Sequence, residues 1–384
     1  MKRLFALTLL PIIAFCNESE VLSNTKQEII NLKQKQIKEE EKSNKYDWVS
    51  DIDLSGSITK DDDDLTTKNY SLSLSQEIFN FGGITSQMQY AEQLKKLNNL
   101  DLDISTKDDL NTLFSYLIDI KIDDINLKQN ILNIENSLIE IRHKKSEYKA
   151  GQLDISDLND AIMTKNELSD TQKELKLSKL VNINSVKKYT SRDYNDIKIP
   201  DVKLMSKDIF LKNATSIGYA KLDVDVNRSL YKIKKSDYLP SLSVTGDYEY
   251  YDYDSSSNPS GEYYDYGLKL SIPFNLTSTN DIEQKRLDYL ISQQELMDEK
   301  ISSESTYDEA VLTIKSYQDR IKLAQDDIKL YDELLVENEE EYKAGYKTID
   351  DVETIKNSKL IRELDIKIYE LNIQKEIINL YFKI

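Results

Sequence analysis

Four consecutive aspartates, Asp61 to Asp64, are the densest set of hard oxygen donors in the chain. A calcium loop spaces its ligands at alternating positions and needs a glycine at its sharp turn. This run has neither, so the segment from Lys60 to Lys68 reads as a solvated loop tip. His143 is the only histidine and falls on a predicted helix face, as an ordinary surface residue. There is no Cys/His metal cluster, no glycine-rich phosphate loop among the nine glycines, and no G-x-S-x-G. Asp and Glu are abundant, but spread along helix faces they solvate the surface and do not form a catalytic pair. These residues point away from an enzyme and from any cofactor or metal.

What the chain does carry is a repeat. Tyr148-Lys149-Ala150-Gly151 recurs as Tyr342-Lys343-Ala344-Gly345, a spacing of 194 in a chain of 384 residues. Each copy continues to an Ile and an Asp: Ile155 and Asp157 in the first, Ile349 and Asp351 in the second. A repeat of half the chain length names the building unit as a half-protein and the chain as a tandem duplication. Gly151 and Gly345 are placed to end helices, and the aspartates to cap the helices that follow.

The elements that position these turns are long helices. Leu113, Ile120, Leu127, Ile134, Ile141 and Tyr148 recur every seven residues, and Tyr307, Ile314, Ile321, Ile328, Leu335 and Tyr342 repeat them at the same 194-residue offset. Leu110, Leu117, Ile131 and Leu138 complete a 3-4 spacing, with Asp124 as the exception; the second-half partners are Ala310, Tyr317, Ala324, Tyr331 and Asn338. Such a stripe predicts helices that pack lengthwise as antiparallel coiled coils. No Pro or Gly interrupts the segments from Ile84 to Ala150 or from Asn275 to Ala344. At 1.5 Å per residue each would reach on the order of 100 Å.

Each half also carries a pair of strands, predicted at 48–59 and 69–79, and at 241–253 and 263–274. In the last, Tyr264, Tyr266, Leu268, Leu270, Ile272 and Phe274 share one face, and Asp265, Gly267, Lys269 and Ser271 the other. Period two with one apolar and one polar face suits a wall between lipid and water. Seven tyrosines between Tyr248 and Tyr266 fit an interfacial aromatic girdle. Small membrane barrels need about 8 strands or more, and an open edge in lipid leaves N–H and C=O groups without partners. Four such strands in one chain therefore require several chains to pool them.

Composition bounds the rest. Lys2-Arg3 followed by the apolar run Leu4–Phe15 reads as a secretory signal over 1–16, cleaved after Cys16. Lipidation of Cys16 is the alternative, disfavoured by the bulk of Phe15. Linker character peaks between Arg192 and Pro200, which divides the chain into a first repeat at 17–190 (tip near 148–158), a linker at 191–205 and a second repeat at 206–384 (tip near 342–352). No later stretch approaches about 18 consecutive apolar residues, so no membrane helix is expected. A net charge of −18 argues against nucleic acid as a partner.

Several motifs then line up in order. Phe79-Asn80-Phe81-Gly82-Gly83, Tyr238-Leu239-Pro240-Ser241-Leu242, Gly267-Leu268-Lys269-Leu270-Ser271-Ile272-Pro273-Phe274 and the two Tyr-x-x-Gly turns resemble the marks of the TolC-type outer-membrane efflux protein family. The resemblance covers nearly the whole mature chain. It implies a mainly α fold with a β-barrel contribution: an α-barrel of coiled-coil helices, and four transmembrane strands per chain in a shared 12-stranded barrel of a homotrimer. It implies a channel-tunnel in the cell outer membrane of a Gram-negative cell, reaching into the periplasm. There it would export small molecules or proteins, as in type I secretion, handed on by a periplasmic adaptor (membrane fusion) protein and an inner-membrane RND pump or ABC exporter. It also implies a gate at the periplasmic tips. The family's gate positions fall at Asp157, Tyr342 and Lys347, where Lys stands in place of Arg and loses the bidentate fork. Asp351 matches one position of the acidic constriction, and Thr354 stands at the other. The first half lacks a clear Tyr-Leu-Pro before Trp48, and its leading helix, from about Leu22 to Lys45, is short. Two other classes stay open: a periplasmic adaptor, and a structural coiled-coil envelope protein.

Overall fold

The structure, a computed structural model, describes residues 19–60, 62, 66–253 and 260–384. The signal segment 1–16 with Cys16, three of the four loop aspartates and residues 254–259 lie outside the described residues.

The order of elements repeats once. Helix α1 (Asn24–Tyr46) leads into strands β1 (Ile52–Lys60) and β2 (Thr66–Phe79), then helices α2 (Gly83–Lys149) and α3 (Ile155–Val186). After a short helix α4 (Lys207–Asn213), helix α5 (Thr215–Ser236) leads into β3 (Ser241–Tyr253), β4 (Gly261–Ser271), α6 (Ser278–Lys343) and α7 (Ile349–Tyr381). Lys149 and Lys343 end the long helices, and Ile155 and Ile349 begin the next, both pairs at the 194-residue offset of the sequence repeat. Among the described residues no helix is long and apolar enough to cross a membrane.

The strands form one antiparallel sheet in the order β1-β2-β3-β4. The two hairpins join through β2 and β3, with Tyr70 opposite Tyr250. Register sorts the faces. Leu54, Leu72, Tyr248 and Tyr264 form one cross-strand row, and Asp53, Ser73, Asp247 and Asp265 the neighbouring row on the other face. β3 has the predicted bounds, but the other strands differ. Trp48 belongs to a turn, closed by the Val49 N–H donating to the Tyr46 carbonyl, so β1 starts at Ile52. β2 begins three residues earlier than predicted, because Lys68, Thr67 and Thr66 continue the ladder opposite Ile58, Thr59 and Lys60. β4 stops at Ser271, ahead of Pro273, which has no N–H to give a ladder. Ile272 and Phe274 thus lie past the strand.

The chain divides into two compact units, each built from both halves of the sequence. One unit holds residues 31–103 and 215–302, including the sheet. The other holds residues up to Ile30, 104–214 and 303–384. In the second unit the core is the middle of α2: Leu110, Leu113, Phe114, Leu117, Ile118 and Ile120 pack with Val186 of α3 and Ile378 of α7, and Phe114 stacks on Phe382 at 5.7 Å. The linker lies on this core. Ile197 is buried in it, and Gln374 donates to the Pro200 carbonyl. Phe210 of α4 anchors a second cluster with Tyr307, whose hydroxyl donates to the Met205 carbonyl at 2.7 Å.

The heptad stripe is buried only in part. Leu113, Ile120, Tyr307 and Ile314 are buried and the next three positions of each row are half-buried, whereas Tyr148 and Tyr342 are exposed at the tips. Ile131 and Leu138, expected on the packed stripe, are 45% and 42% exposed, and their neighbours Asn130 and Ser137 are buried instead. A straight α-helix drifts by about 20° per heptad against a 3.5 repeat, enough to turn the later apolar residues outward.

Candidate functional site

The two tips are built by the same hydrogen bonds. At the end of α2 the Gly151 N–H donates to the Tyr148 carbonyl (3.0 Å) and the Gln152 N–H to the Glu147 carbonyl (2.9 Å). At the end of α6 the Gly345 N–H donates to Tyr342 (3.0 Å) and the Tyr346 N–H to Glu341 (2.9 Å). Both are Schellman closures, which place the glycine in the left-handed region. Gly151 has φ +72° and Gly345 φ +80°, with open space where a Cβ would stand. The glycine is therefore required by the backbone turn itself and not by crowding.

The helices that leave the turns are capped differently. Before α7, Thr348 and Asp351 form a capping box: the Thr348 N–H donates to the Asp351 carboxylate at 2.8 Å, and the Asp351 N–H donates to the Thr348 hydroxyl. The Thr348 backbone and hydroxyl hold the Asp351 carboxyl below the usual carboxylate range. Before α3, Asp154 caps by accepting from the Ser156 N–H. Asp157, the counterpart of Asp351, is half-buried in the first turn of α3, with no hydrogen bond or ion pair to another described residue. The duplication thus commits one acid to its own helix and leaves the other uncommitted.

Lys347 is exposed and lines an open cavity of about 690 Å³ together with Asp351, Thr354, His143, Ser137 and Asn338. No ion pair joins Asp157 to Lys347 within the chain. Tyr342 and Tyr148 are each a little over two-fifths exposed at the helix ends. The Thr354 hydroxyl turns back to the Asp350 carbonyl at 2.9 Å.

The contact that fixes the second tip was not among the sequence expectations. Arg142 of α2 donates through two nitrogens to the carboxylate of Asp350, the first-turn neighbour of Asp351. His143 stands 3.7 Å from the same carboxylate. The Arg142 guanidinium holds the Asp350 carboxyl below its usual range. No local spacing reveals a pair whose members lie in opposite halves of the chain. Among the described residues no group of three or more His, Cys, Asp or Glu side chains could hold a metal ion.

The sheet is a second constellation. Its apolar residues are open: Leu54 is 80% exposed and Tyr266 82%. Toward the loop end of the same face the apolar rows give way to the Lys68–Asp252 ion pair at 3.5 Å. On the opposite face the Ser55 and Ser71 hydroxyls are 2.7 Å apart, and the Tyr263 hydroxyl donates to Asp265. Strands β1 and β4 are the two edges, and among the described residues neither has a second strand neighbour.

Comparison with known proteins gives a consistent picture. Residues 208–381 match the model of the family described as outer membrane efflux protein. Over 249 residues the chain is 22% identical to the outer membrane protein TolC of Vibrio cholerae, covering 56% of this chain and 53% of that protein, so the match spans about half the length of that curated relative. The Campylobacter jejuni CmeC outer membrane channel superposes with a TM-score of 0.74 at 16% identity, covering 95% of this chain and 84% of that one. The outer membrane protein VceC of Vibrio cholerae superposes with a TM-score of 0.69 at 12% identity, covering 94% of each chain. At such identities the structural likeness shows the fold: long helices with a small antiparallel sheet, as in those proteins.

Proposed function

We propose, from the match of residues 208–381 to the outer membrane efflux protein family model, that this chain is a member of that family and that three copies assemble into one outer-membrane channel-tunnel that exports small molecules or proteins. Its place is the cell outer membrane, extending into the periplasm. The observation that carries the proposal is the sheet. Among the described residues the four strands expose an apolar face, and the edge strands β1 and β4 each have only one strand neighbour. In lipid each edge group without a partner costs several kcal/mol, so the edges must close against other copies. Three sheets of four give twelve strands, within the range of closed membrane barrels.

The helices support the same assembly. Ile301, Leu312, Leu323 and Leu330 of α6 are each more than half exposed. At 3.6 residues per turn they share one face, opposite the buried Tyr307 and Ile314. A long helix with apolar stripes on both sides has a second partner to find, and another copy of the chain supplies it. The periplasmic tips then form the gate, with Asp157, Tyr342, Lys347 and Asp351 facing their counterparts across copies. A periplasmic adaptor and an inner-membrane RND pump or ABC exporter deliver the cargo to that mouth. No step requires a cofactor.

Cross-linking of the purified protein in detergent tests the assembly, with unheated and heated electrophoresis alongside. A trimer that dissociates on heating is expected, with discrete conductance steps in planar bilayers. Monomer alone, without conductance, removes the channel reading.

A further inference from the structure

Three buried positions of α2 succeed one another at seven-residue spacing, and all three are polar: Asp123, Asn130 and Ser137. They face α3. Asp123 accepts from the Asn182 amide at 2.8 Å and from the Ser178 hydroxyl at 3.3 Å. Burial pushes its carboxyl up, against those two donors. The Asn130 amide nitrogen donates to the Leu168 carbonyl at 3.0 Å, while its Oδ1 has no partner. Ser137 is 5% exposed, and its Oγ has no partner either, at the wall of the tip cavity beside Thr164 and Leu168.

The second half is built otherwise at the same positions. The residues 194 further on are Tyr317, Ala324 and Tyr331. Tyr317 stacks on Tyr369 of α7 at 6.1 Å, and Ala324 is buried. The outgoing helices differ to match. α7 is held from two sides: Lys375 and Asp365 bond to Asp119 and Gln129 of α2, and Arg362 and Lys359 pair with Asp327 and Asp332 of α6. Among the described residues, every side-chain hydrogen bond or ion pair from α3 to another element runs to α2. The buried residues of α3 lie only near its two ends, Leu158 and Ala161 at one, Ser185 and Val186 at the other. Between them Leu177, Leu180 and Val181 point away from α2, all more than half exposed.

We infer that α3 is the labile helix of this chain, seated on α2 by a polar seam and released from it before α7 leaves its neighbours. Hydrogen bonds that replace bonds to water contribute little net stability, and a buried polar atom without a partner opposes burial. A polar residue at a coiled-coil core position fixes register at a cost in stability. Three in succession give α3 a defined seat on α2 but a weak one.

Hydrogen exchange on the purified full-length chain in detergent reads this directly. Amides of residues 164–182 in α3 should exchange at least about tenfold faster than those of 358–376 in α7, as expected of a segment with its own low opening free energy. Asn130→Leu with Ser137→Leu removes both unpartnered atoms, and the cavity beside Ser137 leaves room for the larger side chain. That double variant should bring α3 to within about threefold of α7. The converse change, Tyr331→Ser, should speed α7 instead. Should the double variant fail to fold, Asn130→Leu alone carries the comparison. Equal protection of α3 and α7 in the parent overturns the inference, and so does an α3 that stays fast in the apolar variant. The consequence for transport, that the first tip moves ahead of the second, rests on the channel reading. A parent protein without bilayer conductance removes that reading, while the exchange contrast still decides the standing of α3.

Discussion

Arg142 and Asp350 meet across 208 residues of sequence, two guanidinium nitrogens lying 3.2 and 2.7 Å from the two carboxylate oxygens. The contact ties the last turns of α2 to the first turn of α7, beside the capping box of Thr348 and Asp351. Both acids are held below the usual carboxylate range, Asp350 by the Arg142 hydrogen bond and Asp351 by the Thr348 backbone and hydroxyl.

The sign of the pH dependence follows. A carboxylate with a lowered folded pKa contributes stability above its unfolded value, near pH 4, and loses it as pH falls through the lower folded value. Hydrogen exchange of residues 346–352 should therefore be flat from pH 8 to about pH 5, after correction for intrinsic rates, and rise only below about pH 4. Arg142→Ala should raise it at every pH above that. An onset near neutral pH would place control of the tip on another group.

Helix ends and the strand pairs were legible in sequence because they rest on local chemistry. The Tyr-Lys-Ala-Gly turns specify a Schellman closure, and the alternation from Ser241 to Tyr253 fixes β3 to the residue. The Arg142–Asp350 pair was not legible, since nothing near either residue names the other. Neither was the outward turn of Ile131 and Leu138. The stripe gives apolar spacing but not the slow rotation of the helix, which hands the buried places to Asn130 and Ser137. Ile272 and Phe274 alternate correctly, yet the ladder ends before Pro273 because ladder bonds, not alternation, decide where a strand stops.

The core of the unit holding the tips should dominate its stability. Leu113 is fully buried in the core cluster that includes Phe114, Leu117 and Ile378 of α7. Leu113→Ala should cost about 2–5 kcal/mol, the range for a buried leucine that leaves a cavity. Lys329→Ala, at an exposed pair with Asp326 on α6, should leave the denaturation midpoint unchanged. Similar midpoints for the two variants would mean that this cluster is not the stabilising core.

The sheet faces predict an alternating labelling pattern. Leu270 shares a face with Leu268 and Tyr266, and Lys269 and Ser271 share the other. Single cysteines at 269 and 271 should react with a water-soluble thiol reagent in the membrane-embedded protein, and one at 270 should be spared. The reverse pattern would mean that the apolar face lines the lumen. Phe274 lies past the end of β4 and is 93% exposed, so it is not a strand position.

The gate is the sharpest test of the tips. Asp157 is left uncommitted by its own helix, whereas its counterpart Asp351 is engaged in a capping box. Lys347 and Tyr342 are exposed on the other turn, and among the described residues none bonds to Asp157. In the proposed trimer its partner would come from another copy. A part-exposed pair of opposite charge contributes about 0.2–1 kcal/mol. Repeated three times in the proposed trimer, that would be up to about 3 kcal/mol, enough to bias a closed-to-open equilibrium of a few kcal/mol. In the proposed gate Tyr342 would add packing and a hydroxyl bond at the same level. Asp157→Ala with Tyr342→Phe should therefore raise single-channel conductance in planar bilayers and sensitise cells to large antibiotics. Asp351→Ala should act differently: it removes the capping box before α7 and lowers thermal stability as well as changing conductance. If the Asp157 and Tyr342 double variant conducts as the parent does, Asp157 has no part in closing the channel, and the first tip is a turn between helices and nothing more.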